Sequence, residues 1–94
     1  MSVTNNDTFD VLAPWQLSTH VSLRDEAFGA LAYHHDTRRL VFLKSRELVA
    51  LVRELSAFES AHVALQSLVP VDQYDRYVAA LKTLSSSEIL SARE

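Results

Sequence analysis

Two side-chain pairs in this sequence have types that could do chemistry, as metal ligands or as general acids and bases. His34 and His35 are adjacent, and Asp25 is followed by Glu26. Successive side chains of a strand point to opposite faces, so two neighbouring strand histidines do not readily close on one metal ion. Asp25 and Glu26 follow Arg24 in what we interpret as a charged, solvated turn. We therefore expect neither pair to form a site, and we expect both histidines in solvent at a hairpin end.

Other signatures of catalysis or of tightly bound groups are absent from the sequence. There is no cysteine, which excludes thiolate nucleophiles, zinc–thiolate sites, iron–sulfur clusters and disulfides. A single glycine excludes a glycine-rich phosphate loop, and no serine lies in a G-x-S-x-G elbow. His20 and His62 are in different segments without ligand spacing, and we expect them at the surface. The sequence predicts a protein that is not an enzyme.

Length and composition predict one globular domain. The chain has 94 residues, of which 48% are hydrophobic and 22% charged. Its net charge of −3 gives no long-range attraction for nucleic-acid phosphates. No apolar run approaches the ~20 residues of a membrane span, and residues 1–9 lack the features of a secretory signal. We expect a flexible tail over residues 1–9, a single domain over residues 10–94 and a cytoplasmic location.

The first half of the domain is predicted to hold three strands. Residues 15–23 alternate between apolar and polar side chains, as a half-buried strand does. Residues 29–34 form the second strand, and Gly29 indicates a bend or a close backbone approach. A turn over residues 35–38 leads to the third strand, residues 39–44, whose Leu-Val-Phe-Leu run is apolar on both faces.

Three helices are predicted to follow, with N-caps at Ser45, Ser60 and Asp72. Each cap precedes apolar residues at helical spacing. These are Leu48, Leu51, Val52 and Leu55, then Ala61, Ala64, Leu65 and Leu68, then Tyr74, Tyr77, Val78, Leu81 and Leu84. Three serines at 85–87 end the last helix, and Ile89-Leu90 returns to the core. The order β-β-β-α-α-α predicts a winged-helix-like α+β fold, a three-stranded antiparallel sheet followed by a three-helix bundle.

The third strand is the element from which a function can be inferred. An exposed apolar edge is an aggregation hazard unless something covers it, and an extended peptide can cover it as an added strand. Four hydrogen bonds at about 1 kcal/mol each barely offset the ~2–5 kcal/mol needed to order a peptide. Apolar side chains must therefore add affinity.

We predict that these apolar contacts come from a groove between the third strand and the third helix. It would be lined by Val41, Leu43, Tyr74, Tyr77 and Leu81. Tyr77 also fits a core position, whereas Tyr74 fits the rim of the groove. The sequence leaves open which alternate side chains of the strand face the groove. Arg38-Arg39 fits a solvated pair that makes the turn soluble, and its functional interpretation is attraction of an acidic peptide to this edge.

Two other functions would use the same elements. A winged-helix-type DNA-binding domain would place the third helix in the major groove. The outward positions of that helix include Arg76 and Lys82 but also Asp75, which makes a poor groove reader in an acidic chain. A self-associating module would instead pair the third strands of two copies. DNA binding predicts a salt-sensitive shift of duplex DNA, and self-association predicts a dimer that peptide dissociates.

Residues 14–55 resemble a known family. The segment PWQLSTHVSLRDEAFGALAYHHDTRRLVFLKSRELVALVREL is similar to the MftB family of mycofactocin biosynthesis chaperones, within the PqqD-like group of peptide-recognition domains. The resemblance is strongest in FGALAYH, TRRL and FLKS, and beyond residue 55 only the helical spacing is similar. PqqD-like domains often carry a glycine just before the final hydrophobic pair, where this chain has Ser87-Glu88.

The resemblance implies a non-catalytic partner of a radical-SAM maturase. Such domains hold the leader of a short, ribosomally made precursor as a strand against the third strand and last helix, and present its C-terminal Val-Tyr to the enzyme. The precursors are Glu-rich, which implies a steering role for Arg38, Arg39 and Lys44. Iron–sulfur and SAM chemistry would belong to the partner, so we expect no cofactor or metal here, and neither nucleic acid nor membrane as a partner. The predicted peptide-binding residues are Arg38, Arg39, Leu40, Val41, Phe42, Leu43, Lys44, Tyr74, Tyr77 and Leu81.

Overall fold

In a computed structural model, which describes residues 9–93, the chain forms an antiparallel sheet, a small ribbon and three helices. The strands are β1 (Trp15–Leu17), β2 (Val21–Glu26), β3 (Gly29–His34), β4 (Leu40–Leu43) and β5 (Leu90–Ala92). The helices are α1 (Arg46–Glu54), α2 (Ala61–Leu68) and α3 (Tyr74–Ser86). The sheet has the order β2-β3-β4, and β1 pairs with β5 in the ribbon. The predicted α+β fold, with its three-stranded sheet and three helices, is confirmed.

Residues 1–8 of the predicted tail lie outside the described residues, and Phe9 packs on Trp15.

The strand predicted over residues 15–23 is two strands, and that prediction was wrong. The Ser18 N–H donates to the Ile89 carbonyl at 2.9 Å, and the Ser18 Oγ accepts from the His20 N–H at 3.1 Å. These bonds turn the chain out of the ribbon and into the sheet. The predicted return of Ile89 and Leu90 to the core is confirmed, since they are 0% and 3% exposed.

Arg24, Asp25 and Glu26 belong to β2, so the turn predicted for them was also wrong. The hairpin turns at residues 27–28, and Glu26 pairs with Gly29. An edge strand accepts such charged residues because their side chains reach water. The close approach predicted at Gly29 is confirmed: its φ is +150°, and a Cβ there would lie 2.0 Å from the Leu43 carbonyl oxygen.

The second hairpin is built on His34, which is only 5% exposed. Its Nδ1 accepts from the N–H groups of Asp36 and Thr37, each at 3.2 Å. The expectation that both histidines lie in solvent is therefore wrong for His34 and right for His35, which is exposed. Arg38 adopts a left-handed φ of +64° in this turn, and β4 begins at Leu40.

Two of the three predicted helix caps are confirmed. The Ser45 Oγ accepts from the Leu48 N–H at 3.0 Å, and the Ser60 Oγ accepts from the Val63 N–H at 3.2 Å. The cap predicted at Asp72 is wrong because that residue lies in a 3-10 turn, Val71–Gln73, and α3 begins after it at Tyr74. A second 3-10 turn, Leu55–Ala57, follows α1.

The core lies between the inner face of the sheet and the helices. Ala30 and Ala32 of β3 are fully buried, and their small side chains let α1 pack closely on the sheet. Leu51, Leu65 and Leu81 bring α1, α2 and α3 into the same cluster. Leu68, predicted for the inner stripe of α2, is 40% exposed. None of the described helices is long and apolar enough to cross a bilayer.

Candidate peptide-binding edge

The polar residues whose types could do chemistry instead form hydrogen bonds and ion pairs that stabilise the hairpins. His20 Nδ1 lies 3.1 Å from Asp36 Oδ2, and Ser22 Oγ lies 2.6 Å from His35 Nε2. Asp25 is paired with Arg53 of α1 at 2.8 Å. Within residues 9–93 no three His, Cys, Asp or Glu side chains are grouped so that they could hold a metal ion.

The β4 strand leaves one of its edges unpaired in the described part of the chain, because it bonds to β3 alone. The His34 N–H donates to the Arg39 carbonyl at 2.9 Å, which fixes the phase of the hydrogen bonding. In an antiparallel pair, hydrogen-bonded positions alternate with non-bonded ones. The register then directs the backbone groups of Val41 and Leu43 towards β3.

The backbone N–H and C=O groups of Leu40 and Phe42 consequently point away from the sheet. Their side chains lie on its outer face, and each is 55% exposed. Val41 is half-buried and Leu43 is fully buried on the inner face. The structure thereby settles which alternate side chains face which side, a point that the apolar run of β4 left open.

Basic side chains flank this edge. Arg38 and Arg39 precede β4, Lys44 and Arg46 follow it, and all four are exposed. No acidic residue lies between Thr37 and Arg46. The edge is thus locally positive in a chain whose net charge is −3.

A narrow groove lies beyond the end of β4, between residues of α1 and α3. The groove has a volume of about 140 Å³. The Tyr77 hydroxyl lies 3.4 Å from the Ser45 Oγ and so connects α3 to the residue after Lys44. The lining residues are Lys44, Ser45, Leu48, Arg76, Tyr77 and Ala80.

The other predicted groove residues lie elsewhere. Leu43 and Leu81 are fully buried, so in this conformation they support the site from the core and are not accessible to a ligand. The Tyr74 hydroxyl is hydrogen-bonded to His62 Nδ1 at 2.5 Å. Tyr74 lines a separate groove of about 420 Å³ with His62, Gln66, Val69 and Val71. The structure therefore brings Tyr77, but not Tyr74, to the end of β4.

Sequence reasoning missed an apolar surface that continues from the edge across the outer side of the sheet. We call it the outer apolar face; its members are Phe28, Leu31, Tyr33, Leu40 and Phe42. The rings of Phe28 and Phe42 meet edge to face at 5.8 Å between centroids. The signal was present in the alternation of GALAYH, because alanines at 30 and 32 that pack under a helix place Leu31 and Tyr33 outward.

Comparison with known proteins assigns the family. Residues 14–91 match the family described as the peptide chaperone MftB family. The chain is 42% identical to the peptide chaperone MftB of Mycolicibacterium smegmatis, over 94% of this chain and 87% of that protein. It is 38% identical to the peptide chaperone MftB of Mycobacterium ulcerans, over 92% and 80% of the two chains. For the protein of the same name from Mycobacterium tuberculosis the identity is 37%, over 96% and 84%. No solved structure gives a significant match. The chain belongs to the peptide chaperone MftB family.

Proposed function

We propose that this protein is a non-catalytic peptide chaperone of mycofactocin biosynthesis. It binds the acidic leader of a short precursor peptide as an added strand on β4 and presents the precursor's C-terminal Val-Tyr to a radical-SAM maturase. The observation that best supports strand addition is the outward orientation of the Leu40 and Phe42 backbone groups at an edge that no other strand of residues 9–93 pairs with. The names of the relatives support a peptide as the ligand.

The backbone of β4 supplies only part of the affinity. Two outward residues offer two N–H and two C=O groups, which together contribute about 4 kcal/mol at ~1 kcal/mol per hydrogen bond. Ordering the peptide costs ~2–5 kcal/mol, and micromolar affinity needs about −8 kcal/mol. Several buried apolar side chains, at ~1.5–3 kcal/mol each, must make up the difference.

The basic residues around β4 favour an acidic ligand. Arg38 and Arg39 lie at one end of the strand, and Lys44 lies at the other. Exposed charges of this kind raise the association rate more than they raise the equilibrium affinity. Once bound, the leader raises the effective concentration of the precursor's tail at the enzyme.

Amide hydrogen exchange tests strand addition residue by residue. In the free protein, the Leu40 and Phe42 amides should exchange fast and the Val41 and Leu43 amides slowly, because only the latter bond to β3. A synthetic leader should slow exchange at Leu40 and Phe42. The peptide comes from the short reading frame, ending in Val-Tyr, that we expect beside a gene for a radical-SAM enzyme.

The internal control for this experiment is the opposite edge of the sheet. The amides of Leu23 and Asp25 on β2 should stay unprotected when the leader is added. Protection at β2, or none at β4, would refute strand addition at β4. Protection of Leu40 and Phe42 that rises with protein concentration in the absence of peptide would indicate self-association.

A further inference from the structure

The side chains of the outer apolar face differ in how exposed they are to solvent. The most exposed of them lie on the edge strand β4. Leu31, in the central strand, has neighbours on both sides and is half-buried, whereas Leu40 and Phe42 are each 55% exposed. Phe42 lies opposite Leu31 and touches Phe28, so it is covered from the β3 side. A further strand on the free edge would lie beside Phe42, on the side away from β3.

An added strand would place its side chains alternately on the two faces of the sheet. Residues directly opposite Leu40 and Phe42 would lie on the outer face, within about 5.5 Å between Cβ atoms. Residues opposite Val41 would point to the inner side of the sheet, where Val41 is half-buried and Leu43 is fully buried. One bound peptide is therefore in contact with two different environments.

The groove beyond the end of β4, where a bound strand would continue, is small and positively charged. This groove measures about 140 Å³, and it is lined by Lys44 and Arg76 together with Ser45 and Tyr77. Such a groove suits a small or acidic side chain, because a carboxylate forms strong hydrogen bonds with basic groups. It offers little surface to a large apolar side chain.

We propose, as an extension of the proposed strand addition, that this protein selects its peptide mainly on the outer face. The preferred leader carries bulky apolar side chains at positions i and i+2, which pack beside Leu40 and Phe42. The residues between and around them are small or acidic. The occupant of the open part of the outer apolar face is thus the bound strand itself.

The size of the face argues for a strand and against a second copy of the protein. The strand residues of the outer apolar face lie on β3 and β4, and two strands about 4.8 Å apart and about five residues long cover on the order of 160 Å². A stable interface needs roughly 800 Å² from each partner. A face of this size cannot hold two copies together by itself, whereas an added strand combines contacts with Leu40 and Phe42 with backbone hydrogen bonds along the edge. The basic flanks, Arg38, Arg39 and Lys44, also suit an acidic peptide better than they suit an identical basic edge.

An aspartate scan of the leader, combined with intermolecular NOEs, tests this selection. Each leader position that becomes protected on binding is replaced by Asp in turn, in a synthetic peptide. Replacements at i and i+2 should weaken binding about tenfold or more, and replacements at i+1 should change it less than threefold. NOEs from the methyl groups of the i and i+2 side chains should reach the Phe42 ring and the Leu40 methyls.

A protein variant with a matched control completes the test. The double variant Leu40→Thr, Phe42→Thr introduces β-branched residues that favour a strand and removes the apolar surface, so it should bind the leader about tenfold more weakly. Leu68→Thr, which removes an apolar side chain that is 40% exposed on α2, should not change binding.

The outcomes separate this inference from the proposed function. If Leu40 and Phe42 amides are protected but the apolar side chains of the leader give NOEs only to Tyr77 and Leu48, strand addition stands and outer-face selection is wrong. If the amides are not protected, strand addition itself fails and outer-face selection fails with it. A leader whose outward positions accept Asp without loss of affinity would also overturn the inference.

Discussion

The two edges of the three-stranded sheet differ in how they are protected. Both β2 and β4 lack a second neighbour among residues 9–93. On β2, Asp25 is paired with Arg53 at 2.8 Å, and Arg24 with Glu26 at 2.8 Å. β4 contains no charged residue at all. Natural sheets protect exposed edges with charges of the kind seen on β2, because these obstruct pairing with another chain.

This contrast supports β4 as the edge of the proposed strand addition. The backbone of β2 is as available as that of β4, since the bond from the His35 N–H to the His20 carbonyl, at 2.8 Å, leaves Leu23 and Asp25 pointing outward. Available hydrogen-bonding groups are therefore not enough to define a docking site. The difference lies in the side chains, because β2 carries three charged residues in ion pairs and β4 is entirely apolar.

Gly29, the first residue of β3, lies against the end of β4, so its substitution should disturb the sheet to which both edges belong. Gly29→Ala would place a Cβ 2.0 Å from the Leu43 carbonyl oxygen, at a φ of +150°. We expect the free energy of unfolding to fall by about 3 kcal/mol or more, since neither backbone segment can yield easily. Urea denaturation measures the loss. Ala27→Ser in the exposed turn is the control and should change stability by about 0.5 kcal/mol at most.

Proline substitutions compare the two edges directly. Phe42→Pro and Leu23→Pro each remove an N–H that points away from the sheet, so both should fold, as edge strands tolerate proline at such positions. Phe42→Pro should weaken leader binding about tenfold or more, because a hydrogen bond is lost and the ring obstructs the incoming strand. Leu23→Pro should bind normally. Isothermal titration calorimetry measures both, and equal losses would contradict the assignment to β4.

Val41→Pro is unsuitable for this comparison, although it lies between the outward residues. Its N–H points to β3, so proline there would break the ladder inside the sheet. We expect Val41→Pro to lose folded structure together with binding. Thermal unfolding would identify such a loss.

Local signals in the sequence account for what could be predicted. Ser45 and Ser60 cap their helices through bonds to residues three positions away, so short-range patterns suffice to find them. The apolar run of β4 identified the strand, but a run that is apolar at every position has no period from which its inner face can be read. The inner face follows from the hairpin register, which depends on the turn around His34.

Long-range contacts account for what could not be predicted. The pairing of β1 with β5 joins the two ends of the domain, and nothing near Ser18 indicates that its N–H donates to the Ile89 carbonyl. The 3-10 turn before α3 moved the helix start to Tyr74, which faces His62 and not β4. Of the two tyrosines that were predicted to line a groove beside β4, only Tyr77 therefore lies near that strand.

The basic flanks should affect the rate of binding more than its strength. The double variant Arg38→Gln, Arg39→Gln should slow association with an acidic leader about three- to tenfold at low salt. The difference should shrink at high salt as screening increases. Arg24→Gln, Arg53→Gln removes the same charge from the β2 side and should have a smaller effect. Stopped-flow fluorescence can measure both, and equal slowing would mean that net charge, not the β4 flank, attracts the leader.

The smallest effect is expected at Glu88, far from the outward groups of either edge. Glu88 has a φ of +66° at the end of α3, where its N–H donates to the Ser85 carbonyl and the Ile89 N–H donates to the Leu84 carbonyl. This is the position where a glycine usually ends a helix. Glu88→Gly removes ~1–2 kcal/mol of left-handed strain but adds ~0.5–1 kcal/mol of chain entropy to the unfolded state. Stability should therefore rise by about 0.5 kcal/mol in urea denaturation, while leader binding stays unchanged. A change in binding would mean that the backbone conformation at the end of α3 affects the β4 edge. The difference between the two edges would then depend on residues outside the sheet.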